Sequence, residues 1–186
     1  MIFREVEDRD LILKARRGNV DAYNLLVSRW EKRIFNYLLR LVRNREDAMD
    51  LSQDVFLKAY QNLGKLDDPR RFAPWLFRIA HNEAYSLLRK PRHEGEPPEE
   101  RPAPPGYGQL LPMETAMALE NALQRLSPEQ REAVMLKVHQ GFKFEEIAEI
   151  LDCPASTIKS RVYTALELLK EAMAPARSPQ TRGAVR

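Results

Sequence analysis

The chain has 186 residues, 44% of them apolar and 31% charged, with a formal net charge of +3. That composition supports a soluble core for one domain or two small ones, and no apolar run approaches the roughly 18 residues a membrane span needs. The single cysteine excludes an internal disulfide framework and fits a reducing, cytosolic setting.

The N-terminus, MIFREVEDRD, is charged and lacks the apolar stretch of a secretory signal. Charge is segregated along the chain. Residues 1–90 carry 18 basic and 13 acidic side chains, residues 113–155 carry 4 and 8, and residues 156–186 carry 6 and 2. Positive charge gathered in the first half and again near the C-terminus is a footprint for polyanion binding.

Strand patterning is nearly absent. Apolar periodicity predicts helices at 8–17, 20–42, 45–62, 73–90, 113–125, 128–139, 144–151 and 154–173. Gly18 and Gly64 stand where helices should stop, Asn44 can cap the third, and Pro74 suits a first turn. Ser127-Pro128-Glu129-Gln130 has the pattern of a capping box with proline at the first helical position.

In the helix at 45–62, Ala48, Leu51, Val55 and Ala59 point one way. Glu46, Asp50 and Asp54 recur every four residues on another face, with Gln53 alongside. Like charges at this spacing cost about 0.2–0.5 kcal/mol each. A basic partner surface would relieve that repulsion; solvation and the helix-start placement of Glu46 and Asp47 would also soften it. Both readings stand at this level.

The segment RRFAPWLFRIAHNEAYSLLRK, residues 70–90, turns Leu76, Ile79, Ala80, Ala84 and Leu87 toward a core. A second stripe runs Trp75, Arg78, Asn82, Tyr85, Arg89. Rings to stack on, cations for phosphate and an amide for base edges suit unstacked nucleic acid, where stacking contributes about 1–3 kcal/mol per base. The preceding loop adds Lys65, Arg70, Arg71 and Phe72. The alternative is that Trp75 and Tyr85 complete the core.

Residues 91–112 hold seven of the thirteen prolines, a density that no helix or central strand survives. This reads as a semi-rigid linker between two helical domains, able to span about 70 Å at the polyproline rise of about 3.1 Å per residue. The segment 144–165 then has the pattern of a helix-turn-helix broken at Asp152-Cys153-Pro154. Thr157, Ser160, Arg161 and Thr164 share one face of its second helix, with Ser156, Lys159 and Tyr163 beside it. Such a helix can enter a major groove, where arginine bridges guanine and hydroxyls reach bases or phosphates. A solvated basic face on a plain helical hairpin is the competing reading.

Catalytic constellations are missing. His81, His93 and His139 share no metal-ligand spacing with one another or with Cys153, and the seven glycines form no phosphate loop. No metal, cofactor or enzymatic activity is expected, and Cys153 reads as a small residue beside a turn.

Three of these segments together, REDAMDLSQDVFLKAY, RRFAPWLFRIAHNEAYSLLRK and LSPEQREAVMLKVHQGFKFEEIAEILDCPASTIKSRVYTALELLK, resemble the bacterial RNA polymerase sigma factors of the extracytoplasmic-function group. The resemblance implies an all-α fold of two small domains joined by a Pro-rich linker, the second containing the helix-turn-helix. Residues 1–90 would be a region 2-like domain, 91–112 the linker, 113–174 a region 4-like domain and 175–186 a disordered tail. Asp50, Leu51, Gln53 and Asp54 would meet the clamp helices of the largest subunit of core RNA polymerase. Lys65, Arg70, Arg71, Phe72, Trp75, Arg78 and Asn82 would read and hold the melted minus-ten strand. Ser156, Thr157, Lys159, Ser160 and Arg161 would dock in the minus-thirty-five major groove of duplex promoter DNA. An anti-sigma protein is the implied regulator and the bacterial cytoplasm the implied location. A stand-alone helix-turn-helix regulator is the alternative function.

Overall fold

A computed structural model describes residues 6–90 and 113–173; the expected linker at 91–112 and the tail at 175–186 lie outside these described residues. The first four helices are α1 (Asp8–Ala15), α2 (Val20–Val42), α3 (Arg45–Asn62) and α4 (Phe72–Leu88). Between α1 and α2 the chain turns through Gly18 at φ 86°, a left-handed conformation that glycine adopts without a Cβ clash. Asn19 then caps α2 by accepting from the Ala22 N–H. At the far end Arg43 takes a left-handed φ of 56° and returns its N–H to the Leu39 carbonyl. Asn44 caps α3 at once, accepting from the Glu46 and Asp47 N–H groups, as its side chain predicts.

These helices bury the faces that their periodicity marks out. Ala22, Leu26, Ile34, Leu38 and Val42 of α2 meet Ala48, Leu51, Val55 and Ala59 of α3, and Leu76, Ala80 and Ala84 of α4 complete the packing. Two 3₁₀ turns, Leu63–Lys65 and Pro69–Arg71, carry the chain from α3 into α4. Arg16 of the α1–α2 turn fastens this loop by donating to the carbonyls of Leu63 and Leu66. Asp68 caps the second turn by accepting from the Arg70 N–H at 2.9 Å, the leading reason its carboxyl is held below the usual range.

The later helices are α5 (Met113–Gln124), α6 (Pro128–Val134), α7 (Phe144–Ile150) and α8 (Ala155–Met173). Ser127 and Gln130 form the capping box at α6 reciprocally. The helix expected over 128–139 is not uniform: after Val134 it widens into a π turn over Met135–His139. Its neighbours give the reason. Glu132 through Leu136 are five consecutive buried residues, more than one face of a regular helix can hide. Val134 packs with Leu126 and Ala165 on the α8 side, whereas Ala133 and Leu136 join the main core. Gly141, at φ 78°, closes the turn, and Glu146 accepts from the Lys143 N–H at 2.7 Å to start α7.

That main core passes continuously from α1–α4 into α6–α8. Phe77 of α4 meets Phe142 edge-on, with ring centroids 5.0 Å apart, and burying a ring of this size contributes about 1.5–3 kcal/mol. The linker length permits wide separation, but here the two halves share an interior. None of the described helices is long and apolar enough to cross a membrane.

Candidate nucleic-acid interface

On α3 the core face and the acidic face separate cleanly. Asp50, Gln53 and Asp54 are exposed and make no hydrogen bond or ion pair within the described residues. Leu51 does not share that face. It is only 7% exposed, one of the core positions with Ala48 and Val55, so it supports the acidic row from beneath rather than offering a contact. Lys58, one turn further on, pairs with Glu83 of α4 at 2.6 Å and ties the two helices together.

The loop and α4 carry the second group. Lys65 and Arg70 are exposed, the latter 3.4 Å from Asp68. Phe72 is 2% exposed, so as a strand-stacking surface it is corrected to a core residue. Its ring lies between Trp30 and Trp75, with centroids 6.2 and 6.0 Å away, and it backs the half-buried Trp75. Arg78 and Asn82 are exposed on the same stripe. Trp75 itself is only partly buried and packs against the core cluster.

Two of these cations already have acidic neighbours. Arg71 is ion-paired with Glu149 of α7, and Arg78 lies 3.6 Å from Asp152 in the turn before α8. Arg78, Glu149 and Asp152, with Ala148, Cys153 and Pro154, line a shallow open groove between α4 and the helix-turn-helix.

The helix-turn-helix forms as its apolar spacing predicts. Ile147 and Ile150 of α7 share the core with Ile158 and Val162 of α8. Asp152 takes a left-handed φ of 51°, and the Cys153 N–H returns to the Ala148 carbonyl. The first turn of α8 contains no acid, leaving its positive end available to an anion. Ser156, Lys159 and Ser160 are exposed, while Thr157 and Arg161 are half-buried. The Lys159 amine hovers 5.8 Å over the Phe144 ring. Arg161 rests against the Cys153 sulfur at 3.7 Å, and burial pushes that thiol up from its usual range.

One cluster escapes the sequence reading. Glu132 of α6 is 2% exposed and accepts three hydrogen bonds from the N-terminal half: from the Tyr37 hydroxyl at 2.5 Å, His81 Nδ1 at 2.8 Å and the Tyr85 hydroxyl at 2.8 Å. Burial, and next the Glu132 charge, push both tyrosine hydroxyls well above their ordinary range. A glutamate opening the apolar run Ala133-Val134-Met135-Leu136 is the available signal in the sequence.

The comparisons with known proteins bear on both halves. Residues 26–94 match Sigma-70 region 2, and residues 116–169 match Sigma-70 region 4. The RNA polymerase sigma-H factor of Pseudomonas aeruginosa is 30% identical over 91% of this chain and 95% of its own length. The ECF RNA polymerase sigma-E factor of Haemophilus influenzae is also 30% identical, over 92% of this chain and 97% of its own. The chain belongs to the extracytoplasmic-function sigma factors.

It is therefore a transcription initiation factor. Solved relatives share the fold of this sigma factor. CnrH, in complex with the cytosolic domain of CnrY, superposes with a TM-score of 0.65 at 25% identity, covering 88% of this chain and 95% of that one. The sigma factor RpoE of Bartonella quintana, in complex with the anti-sigma factor NepR, gives 0.64 at 29% identity, covering 83% and 98%.

Proposed function

We propose that this sigma factor works through three separate surfaces. The exposed row Asp50, Gln53, Asp54 on α3 engages the clamp helices of core RNA polymerase. Lys65, Arg70, Arg71, Trp75, Arg78 and Asn82 hold the melted minus-ten strand, with Phe72 fixing Trp75 from below. Ser156, Thr157, Lys159, Ser160 and Arg161 dock in the minus-thirty-five major groove. In this reading residues 1–90 and 113–174 act as two functional units tethered by 91–112, phosphodiester chemistry belongs to the polymerase, and the factor operates in the bacterial cytoplasm. An anti-sigma protein, as NepR is to RpoE of Bartonella quintana, is the expected antagonist.

The observation that carries the reading is the exposed row Asp50, Gln53, Asp54 on α3. Three exposed polar groups without side-chain partners among the described residues stand one helix away from the Trp75–Arg78–Asn82 stripe, so a polymerase held by the first delivers DNA to the second. Charge complementarity of this kind sets encounter and register. The test is capture of purified core polymerase by the full chain, followed by run-off transcription on a library of promoters. Capture together with new start sites is the expected result. Failure to bind core polymerase contradicts the assignment of Asp50, Gln53 and Asp54.

A further inference from the structure

The cations Lys65, Arg70 and Arg71 ride on a segment with little order of its own. It consists of two short turns, Leu63–Lys65 and Pro69–Arg71, and 3₁₀ hydrogen bonds are poorly aligned. The return from the Leu66 N–H to the Leu63 carbonyl is long, at 3.4 Å. The hold comes from elsewhere in the chain. Leu63 and Leu66 are buried as two apolar feet. Arg16, 47 and 50 positions earlier, donates through Nε to the Leu63 carbonyl at 3.1 Å and through Nη2 to the Leu66 carbonyl. Arg16 is itself fixed. It ends α1, returning its N–H to the Ile12 carbonyl at 2.9 Å, and Leu11, Ile12 and Ala15 seat that helix in the core. It has no carboxylate partner among the described residues, so its guanidinium serves main-chain acceptors.

We propose that Arg16 is a positioning residue for minus-ten selection, acting by holding the loop over residues 63–71 in one arrangement. The proposal rests on the strand-holding role given to Lys65, Arg70 and Arg71 above. Two bonds from one planar fork fix orientation as well as distance. Lys65 lies between the two bonded carbonyls and is therefore held from both sides. The second turn has its own anchors. Asp68 caps its start through the Arg70 N–H, and Phe72 closes its end, buried between Trp30 and Trp75. Arg16 supplies the polar anchor that the first turn lacks. A reader held in one arrangement rejects bases that a mobile reader accommodates, because the wrong base meets misplaced or unpaired groups. Loosening the loop costs selectivity before affinity, since phosphate contacts carry little sequence information and survive small displacements.

The test uses the full chain assembled with core polymerase, in run-off transcription from promoters randomised over the minus-ten element with one fixed minus-thirty-five element. The readout is the ratio of transcripts from preferred minus-ten sequences to those from the remainder. Arg16→Ala should lower that ratio by about three- to tenfold, with core-polymerase affinity and retardation of minus-thirty-five duplex within about twofold of wild type. Arg16→Lys separates positioning from charge. Its ammonium keeps the positive charge but lacks the fork that spans two carbonyls, so it should lose as much selectivity as the alanine variant. Tyr37→Phe, which weakens the fold at Glu132 and leaves this loop alone, should keep the wild-type ratio. Hydrogen exchange of the full chain should quicken over residues 63–71 in both Arg16 variants and not in Tyr37→Phe. Wild-type selectivity in Arg16→Lys, an equal loss in Tyr37→Phe, or unchanged exchange over 63–71 overturns the proposal. A wild-type factor that initiates without any minus-ten preference overturns the strand-reading role, and the positioning with it. Wild-type preference retained by Arg16→Ala overturns the positioning alone.

Discussion

Tyr37 and Glu132 stand 95 positions apart in the chain, yet the tyrosine hydroxyl donates to Glu132 Oε1 at 2.5 Å. The tyrosine is fully buried and the glutamate nearly so. Neither can exchange its partner for water without separating α2 from α6. A buried polar pair of this kind adds little through its own strength but is costly to leave half-made. Tyr37→Phe should therefore lower unfolding stability by about 1–3 kcal/mol while keeping the ring packing against Phe77. Urea titration of the full chain should show a reduced midpoint with an unchanged slope; an unchanged midpoint would contradict the pairing.

The same burial predicts an alkaline limit. Tyr23, Tyr37 and Tyr85 all hold their protons well above the ordinary tyrosine range, burial being the largest cause in each. In the unfolded chain they ionise near pH 10. Their folded pKa values are raised, so their contribution is complete below about pH 10 and declines as pH rises toward the folded values. Stability should be level through neutral pH and fall steeply above about pH 10. Tyr37→Phe should flatten that fall. Denaturant midpoints across the alkaline range, read alongside tyrosinate absorbance, check both statements.

Local order was legible because it depends on neighbours in sequence. Asn44 and Ser127 cap as their side chains require, and the apolar spacing around Ile147 and Ile158 builds the helix-turn-helix. What escaped depends on meetings across the chain. Leu51 was legible as a core position from its spacing with Ala48 and Val55, while its place in the polymerase-binding set came only from the family resemblance. Phe72 looked like part of a DNA-facing loop because nothing local reveals that Trp30 closes over it. Glu132 has three partners on α2 and α4 that no periodicity links to it. The π turn at Met135–His139 likewise follows from α6 being packed on two sides, a tertiary demand that helix propensity does not carry.

Asp54→Arg isolates the proposed polymerase contact. The site is exposed and has no ion pair among the described residues, so the substitution should move stability by no more than about 0.5 kcal/mol. Reversing charge at a basic partner surface should nevertheless weaken core-polymerase binding by at least about tenfold, since like charges across an interface cost several kcal/mol. Titration of core polymerase against the labelled factor, with thermal midpoints in parallel, gives the comparison. Equal affinities in both proteins would contradict the surface assigned to α3.

Trp75 and Phe72 separate function from support. Trp75→Ala should spare recruitment to closed promoter and impair strand opening, losing about 1–3 kcal/mol of base stacking. Permanganate reactivity of promoter thymines reads opening directly, and gel retardation reads recruitment. Phe72→Ala removes a core ring instead, and should cost about 3–5 kcal/mol of stability. Normal opening by the Trp75 variant would contradict a stacking role for that ring.

Arg161 and Lys159 differ in kind although both lie on the proposed groove face of α8. The Arg161 guanidinium is half-buried against Cys153, a sulfur contact weak enough to exchange for a base edge. If it reads a base, Arg161→Ala should cost about 1–3 kcal/mol and relax sequence preference at one promoter position. The Lys159 amine is exposed beside the Phe144 ring, a position suited to backbone phosphate. Lys159→Ala should weaken binding about equally across sequences and reduce the salt slope by about one. Holoenzyme binding to a randomised minus-thirty-five library at several salt concentrations distinguishes the two. Loss of sequence preference in the lysine variant, with a uniform loss in the arginine variant, would reverse the assignment and turn α8 differently in the groove.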